Sequence, residues 1–387
     1  MDPKLKELSE KSTIEVETSK RRFYWQADGY KFNNVNLARW YEKENKTWVE
    51  FVDNQLDLIR HNLSTQTFDP NKDYNVEFCR HLKKTFPKVS LLFSGGYNAA
   101  NIFYYFVENN ISIDEVVINI GLDIEPEITD EVLLNCNPLL EKYAHLVKKT
   151  TILQYTYEQI RNHWKGDWSL FDKPWGRMPP RCQNISIGYG MKTDPEATYI
   201  KGVDNPTLVR YKDKWYAVCL DSMTGGTYEI PNLTLFWLDG NNIMSHIKDA
   251  RIYREWLIEN KKIKDGLQFF YMKDMLKGKH KTHGYREIAN PDAKLKKDVK
   301  RTIRKHRMID KEKFTEMAYY CNALAKVQEI LPPTDQDGPG EPADIGTTGT
   351  GKVRHVTTLQ GAGKFAWFID IDSLKVYTQQ ELIPDGF

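Results

Sequence analysis

Ser94, Gly95 and Gly96 follow the short apolar run Val89-Ser90-Leu91-Leu92-Phe93 and precede a helix-prone stretch from Tyr97 to Val107. Two glycines between a buried strand and a helix make a backbone arch with free N–H groups. Those donors, with the positive end of the helix dipole, attract phosphate. Glycine suits the position because a β-carbon would block close approach of the backbone to an anion. Ser94 adds a hydroxyl donor at the end of the strand. The same arrangement also serves as a plain tight turn, so the chemistry it points to is anion binding rather than a particular reaction.

Other chemistry-bearing residues are more scattered. Gly346-Thr347-Thr348-Gly349-Thr350-Gly351-Lys352 has the form GxxxxGK. A phosphate-binding P-loop needs a strand before it, a helix after it and Ser or Thr after the lysine. Here a Pro-rich stretch precedes it and Val353 follows, so a flexible loop is expected. His280 and His283 stand three apart without a carboxylate or cysteine trio and read as surface histidines. Trp164, Trp168 and Trp175, with Pro174, Pro179 and Pro180, form an aromatic loop that either lids a pocket or packs on the sheet. Arg177 and Arg181 in that loop are candidates to touch phosphate or carboxylate, and Cys182 reads as a small apolar side chain. No Ser/His/Asp triad is identifiable by spacing. Between 279 and 307, eleven Lys/Arg stand against three acids, a local excess of eight positive charges. On a helix starting near 292, Lys297, Lys300, Arg301, Arg304 and Lys305 share a face that could track a nucleic-acid backbone. The alternative is a solvated helix face.

The elements that must position the glycine turn follow from periodicity. Val89–Phe93 reads as a buried parallel strand, 97–107 as a helix, and Glu115–Ile120 as a second strand. Strand, glycine turn, helix and strand make a βαβ unit, the building block of parallel sheets. A helix over 129–147, with Val132, Leu133, Leu139, Leu140 and Tyr143 inward, and a strand over 149–155 continue the alternation. Thr198–Lys201 is a fourth strand; Leu208–Tyr211 and Trp215–Leu220 form a hairpin around Lys212-Asp213-Lys214. Upstream, residues 1–20 read as a loose start or short helix. Residues 21–35 read as an aromatic hairpin turning at Ala27-Asp28-Gly29, 36–62 as helical, and 74–85 as a helix with Val76, Phe78, Cys79 and Leu82 inward. Downstream, 181–192 and 243–277 read as mainly helical and Lys364–Ile369 as an aromatic strand. The fold expected is α/β, a doubly wound and mostly parallel sheet. It carries an N-terminal hairpin-plus-helix addition and a C-terminal helical, basic extension.

Leu91-Leu92-Phe93-Ser94-Gly95-Gly96-Tyr97-Asn98-Ala99-Ala100 resembles the pyrophosphate loop of the PP-loop ATP pyrophosphatases, whose pattern is Ser-Gly-Gly-x-Asp-Ser. The resemblance extends over about 88–260 and is best over 89–121. It implies a HUP-type fold in which the loop cradles the pyrophosphate of ATP. It also implies an ATP-dependent adenylating activity of the asparagine-synthetase-like kind. ATP is cleaved to AMP and pyrophosphate, activating a carboxylate or nucleobase carbonyl for attack by a nitrogen or sulfur nucleophile. By resemblance, Ser94, Gly95, Gly96, Tyr97 and Asn98 line the phosphate cradle. Gly121, at the tip of the second strand with Asp123 following, lies by the adenosine. Lys201-Gly202-Val203-Asp204 is similar to the family's second phosphate and magnesium turn, with Lys201 and Asp204 as charged members and Asp204 on Mg2+. The layout with an N-terminal aromatic hairpin also resembles asparagine-synthetase-like proteins encoded by tailed phages. Two positions depart from the pattern: Asn98 stands where the family has Asp, and Ala99 where it has Ser or Thr. A neutral amide is a poorer magnesium ligand than a carboxylate. The rival expectation is therefore a degenerate PP-loop fold acting as a phage binding or virion structural protein, and a third is a nucleic-acid-binding protein working through 279–307.

Composition is compatible with all three. The 387 residues carry 55 Lys/Arg against 53 Asp/Glu, a net charge of +2, which argues against a wholly basic nucleic-acid clamp. Aromatics make up 12%, enough to supply large core anchors. Five cysteines without a CxxC spacing argue against a disulfide framework and a zinc ribbon. No apolar run reaches the roughly 18 residues that span a bilayer, and the N-terminus lacks a signal-peptide pattern. The expected location is the cytoplasm, that of a host cell or a virion on the phage reading. The expected partners are a nucleotide, an acceptor that is a small molecule or nucleic acid, and a phage protein on the structural reading, with no membrane. The expected division is 1–73 for the N-terminal hairpin and helix, 74–260 for the nucleotide domain, 261–331 for a helical basic region, 332–352 for a Gly/Pro linker and 353–387 for a β segment.

Overall fold

A computed structural model describes residues 1–19, 21–33, 35–93, 95, 97–121, 136–155, 194–202, 207–220, 232–261, 263, 268–271, 354–355 and 364–383. The elements in chain order are α1 (Pro3–Thr18), β1 (Phe23–Ala27), β2 (Tyr30–Phe32), α2 (Val35–Asn45), β3 (Glu50–Asp53), α3 (Leu56–Thr65) and α4 (Tyr74–Thr85). They continue with β4 (Lys88–Leu92), α5 (Tyr97–Val107), β5 (Glu115–Gly121), α6 (136–142), β6 (Thr150–Tyr155) and β7 (Ala197–Lys201). The remainder are β8 (Thr207–Tyr211), β9 (Lys214–Leu220), β10 (Leu233–Leu235), α7 (Ile243–Glu259), β11 (Gln268–Tyr271), β12 (Arg354–His355), β13 (Phe365–Asp370), β14 (Val376–Tyr377) and α8 (Gln379–Leu382).

Five strands pair in parallel in the order β10-β7-β4-β5-β6. Their apolar residues serve two faces, as a strand covered on both sides requires. Val89, Leu91, Val116, Ile118 and Ile200 enter the main core, while Leu92, Val117, Ala197 and Tyr199 make a smaller cluster. The chain begins at the centre with β4, moves to one side through β5 and β6, and returns to the other side of β4 with β7 and β10. The result is an α/β fold with helices flanking a parallel sheet, consistent with a wound, Rossmann-like order. Its topological switch point lies between β4 and β7.

Helix α5 explains how β4 is held. Ala99, Ala100, Ile102, Phe103, Phe106 and Val107 are all buried, so the helix is apolar nearly all round and sits inside the core. Phe103 stacks on Phe93 with centroids 5.2 Å apart, and Tyr105 stacks on Phe236 at 6.0 Å. Helix α4 covers its neighbour with the inward residues expected, Val76, Phe78, Cys79 and Leu82. Its start is capped by the Asp73 side chain, which accepts from the Val76 N–H at 3.1 Å. The helix expected over 129–147 is shorter on its described side. It ends at 142, and residues 144–146 form a single 3-10 turn. Val132 and Leu133 lie outside the described residues.

The N-terminal unit is richer than a hairpin plus helix. Residues 3–18 form a full helix packed on β2, and three strands pair in the order β2-β1-β3. Asp28 (φ 50°) and Gly29 (φ 83°) make the expected tight turn between Ala27 and Tyr30. The reading of 36–62 as helical is corrected: α2 ends at Asn45, and Glu50–Asp53 is a strand antiparallel to β1. Phe51 and Asp53 are buried while Glu50 and Val52 are half-buried, which is strand periodicity.

Six further strands form a sheet in the order β12-β11-β8-β9-β13-β14. Its β8–β9 hairpin turns at Lys212 and Asp213, both with positive φ. The expectation that 243–277 is mainly helical is corrected beyond Glu259, because Gln268–Tyr271 pairs with β8 as a strand. The aromatic strand near the C-terminus pairs with β9, so segments 74–260 and 353–387 share one sheet. The described parts of 261–331 are 261, 263 and β11; the linker 332–352, the Trp/Pro loop and the helix expected over 181–192 lie outside the described residues.

One buried titratable group in this core makes stability depend on pH. His246 on α7 is fully buried, edge-to-face with Trp367 at 5.6 Å between centroids. Burial pushes its imidazole down to about 3. Unfolded, the ring titrates near 6.5, so between these values the unfolded state binds a proton that the folded state excludes. Stability must therefore fall as pH drops below about 6.5, by about 1.4 kcal/mol per pH unit from this group. Urea titrations of wild type and His246→Met at pH 6.5 and 5 should differ in their pH-dependent loss by about 2 kcal/mol. Equal losses would contradict the assignment.

Candidate nucleotide site

The switch point is the crevice that open α/β sheets offer to ligands, beyond the carboxyl ends of their strands. Leu92 pairs in register with Lys201, so β4 and β7 end side by side and both chains leave the sheet there. The end of β4 is anchored from two directions. The Phe93 N–H donates to the Val117 carbonyl at 2.8 Å, and its ring stacks on Phe103. On β7, the Lys201 carbonyl accepts from the Phe236 N–H at 3.2 Å.

Gly95 is buried and has φ 66°, the left-handed region that glycine enters without penalty. This backbone reversal lets the chain pass from β4 into the first turn of α5 at Tyr97. Gly202 closes the arrangement from the other strand. A β-carbon there would lie 3.1 Å from the Ala99 amide nitrogen, 3.1 Å from the Asn98 carbonyl carbon and 3.2 Å from Asn98 Cβ. Gly202, at the end of β7, therefore packs backbone to backbone against the start of α5, where a side chain fits only if the backbone shifts by some tenths of an ångström.

Among the expected site residues, Gly95, Tyr97, Asn98, Lys201 and Gly202 come together at this crevice. Asn98 and Lys201 are half-buried, while Ala99 is buried. Gly121 is at the same end of the sheet on β5, paired with Tyr155. It lies four residues past Val117, the partner of Leu92, so it projects about 13 Å further along the strand direction. Ser94, Gly96 and Asp204 lie outside the described residues. So do Asp123, Arg177, Arg181, Cys182, His280, His283 and the basic group Lys297, Lys300, Arg301, Arg304 and Lys305.

The chemistry this geometry can do is anion binding. The start of α5 presents backbone N–H groups and the positive end of a helix dipole, and Lys201 adds a positive charge. The described residues of the two turns, Phe93, Gly95, Tyr97, Asn98, Ala99, Lys201 and Gly202, include no carboxylate, histidine or cysteine. Positioning and charge stabilisation are what these described residues can supply. Such a site suits phosphoryl chemistry, which depends mainly on those two effects. Among the described residues no group of three or more His, Cys, Asp or Glu is placed to hold an ion, and Asp204, the residue expected on Mg2+, lies outside them. Sequence reasoning located both glycine turns but missed that Ala99 and Gly202 touch. They are 103 residues apart, and only the parallel pairing of β4 with β7 brings them together.

No helix among the described residues is long and apolar enough to cross a membrane. No family model matches the chain, and no curated protein matches it either.

Proposed function

We propose that the chain binds ATP at the β4–β7 switch point and acts as a PP-loop-type adenylating enzyme. The observation that carries this reading is the close approach of Gly202 to the first turn of α5, the helix that begins two residues after the left-handed Gly95. Glycines that follow two neighbouring strands bring bare backbone to a helix N-terminus, the environment a polyphosphate requires. In the reaction proposed, an oxygen of the acceptor attacks the α-phosphorus of ATP. The bond from that phosphorus to the α–β bridging oxygen breaks and pyrophosphate leaves. A nitrogen or sulfur nucleophile then displaces AMP from the activated acceptor. The backbone donors of the α5 turn and Lys201 stabilise the charge that gathers on the leaving pyrophosphate.

The sequence at the same turn favours a second reading, in which the nucleotide is bound without being cleaved. Asn98 offers no carboxylate for a metal, and Ala99, buried against Gly202, offers no hydroxyl to a phosphate. On this reading the chain works as a binding or assembly protein. Isothermal titration with ATP and magnesium tests the shared premise. The expected dissociation constant is under about 0.1 mM, equivalent to about 5.5 kcal/mol. Absence of binding heat would overturn both readings. Pyrophosphate release in the presence of candidate carboxylate and nucleobase acceptors separates them, because the enzyme releases it and the binding protein does not.

A further inference from the structure

We propose that Phe236 is a positioning residue of the crevice, a brace that sets the spacing between Gly202 and the first turn of α5. This role rests on the nucleotide reading and adds to it a residue that acts through the backbone of others. Phe236 directly follows Leu235, the last residue of β10 to pair with β7, and it is fully buried. It grips both sides of the crevice. Its N–H donates to the Lys201 carbonyl at 3.2 Å, one residue before Gly202. Its ring lies 6.0 Å from that of Tyr105 with 7° between the planes, so it stacks on α5. Tyr105 stands eight residues after Tyr97, about 12 Å along the helix from its start.

The brace is itself held in place. Phe78 of α4 meets the Phe236 ring edge-on, with centroids 5.3 Å apart. The Asn242 side-chain amide donates to the Phe236 carbonyl at 2.9 Å and to Asn75 Oδ1 at 3.2 Å. Asn75 Oδ1 also accepts from Ser245 Oγ at 2.6 Å. All three of these polar side chains are buried, and breaking their bonds there would leave donors and acceptors without water to replace them. The N–H of Phe236 is thus fixed to β7, its ring to α4 and α5, and its carbonyl to the residue that precedes α7.

A core phenylalanine that only fills volume affects stability alone. Position 236 carries a further constraint, because it joins the two elements whose separation shapes the crevice. That separation is tight: a β-carbon at 202 would stand 3.1 Å from the Ala99 amide nitrogen. Donors aimed at an anion work only within about 0.5 Å of their intended positions. Leucine at 236 keeps the N–H and the carbonyl, and so keeps the bonds to Lys201 and Asn242. It cannot stack on Tyr105, which frees α5 to shift relative to the end of β7.

Titration calorimetry of the full chain with ATP and magnesium tests the brace, at a temperature where every variant is folded. Phe236→Leu should raise the dissociation constant by roughly fivefold, the order of an aromatic stacking energy expressed as a ratio. Tyr105→Leu removes the same stack from the helix side and should match it, so the test stands even where Phe236→Leu does not fold. Tyr105→Phe keeps the ring and should retain wild-type affinity. Phe51→Leu is the control for a loosened core. Phe51 is buried in the N-terminal sheet and stacked on Phe23 at 5.8 Å, so its loss should lower the melting temperature and leave affinity unchanged. Phe236→Leu combined with Gly202→Val should weaken binding by less than the product of the two single effects, because both act on one spacing. Wild-type affinity in Phe236→Leu and Tyr105→Leu, or an equal loss in Phe51→Leu, would overturn the brace and leave the nucleotide reading standing. A wild type that gives no binding heat would overturn the nucleotide reading and the brace with it.

Discussion

Asp53→Ala should lower the unfolding free energy by about 3–5 kcal/mol, the loss expected when one partner of a buried ion pair is removed. Asp53 is buried at the end of β3, and its carboxylate accepts four hydrogen bonds. Arg22 Nε and Nη2 donate to its two oxygens at 2.9 Å each, a bidentate pair. Trp367 Nε1 donates at 3.1 Å and the Gln55 N–H at 3.0 Å. Arg22 also donates to the Leu238 carbonyl. One carboxylate thus ties the N-terminal sheet to β13, which lies 314 residues away in sequence, and Arg22 extends the tie to the turn after β10. Burial disfavours the Arg22 charge, and Asp53 reverses that effect, so its guanidinium is held above its usual value. Removing the carboxylate takes away that cation's bidentate partner, leaving only the weaker pull of Asp239 among the acids, and strips the Trp367 and Gln55 donors of their acceptor. Urea unfolding of the full chain measures the change, with an unchanged slope showing that the loss lies in the folded state. Replacing both partners, Arg22→Met with Asp53→Leu, should recover only part of the loss, because two apolar side chains need no compensating charge but the Trp367 and Gln55 donors and the Leu238 carbonyl stay unpaired. A loss under about 1 kcal/mol for Asp53→Ala would show that the network is solvated and weak.

The ease of reading this chain followed the locality of each signal. The unit from Val89 to Ile120 was legible because an apolar run, two glycines and a periodic helix lie within about thirty residues. The hairpins at Asp28-Gly29 and Lys212-Asp213 were legible for the same reason. Strand β3 was not. Its four residues lie between Trp48 and Leu56, and the mixed aromatic spacing fits a helix until the pairing with β1 is known. Strand β11 was hidden similarly: Gln268–Tyr271 is a strand only because β8 lies beside it. Asp53 gave no signal beyond being an acid in an aromatic neighbourhood, since its partners come from positions 22 and 367. At the site, each glycine turn was visible in its own stretch of sequence. Their contact depends on a strand register between residues more than a hundred positions apart, and no local pattern encodes that.

Replacing Gly202 by valine tests that contact and the proposed site together, and should weaken ATP binding by at least tenfold, about 1.4 kcal/mol. A β-carbon at 202 meets the Ala99 nitrogen and the Asn98 carbonyl carbon, both at 3.1 Å. These are backbone atoms of the first turn of α5, so they cannot rotate away as a side chain would. Either β7 or the start of α5 must move by some tenths of an ångström, and the two methyl groups of valine enlarge the displacement. Overpacking of this kind typically costs about 1–3 kcal/mol of stability. Binding should suffer as well, because donors arranged for an anion act only when held within about 0.5 Å of their working positions. Gly29→Ala separates the two effects. Gly29 has open space around it but a φ of 83°, so alanine there is strained by about 1–2 kcal/mol without touching the crevice. The expected pattern is reduced stability in both variants and reduced ATP affinity in Gly202→Val alone, read by titration calorimetry at a temperature where both remain folded. Equal affinity in Gly202→Val and wild type would move the nucleotide away from the β4–β7 crevice. Equal losses in both variants would make the effect one of stability rather than of a shaped site.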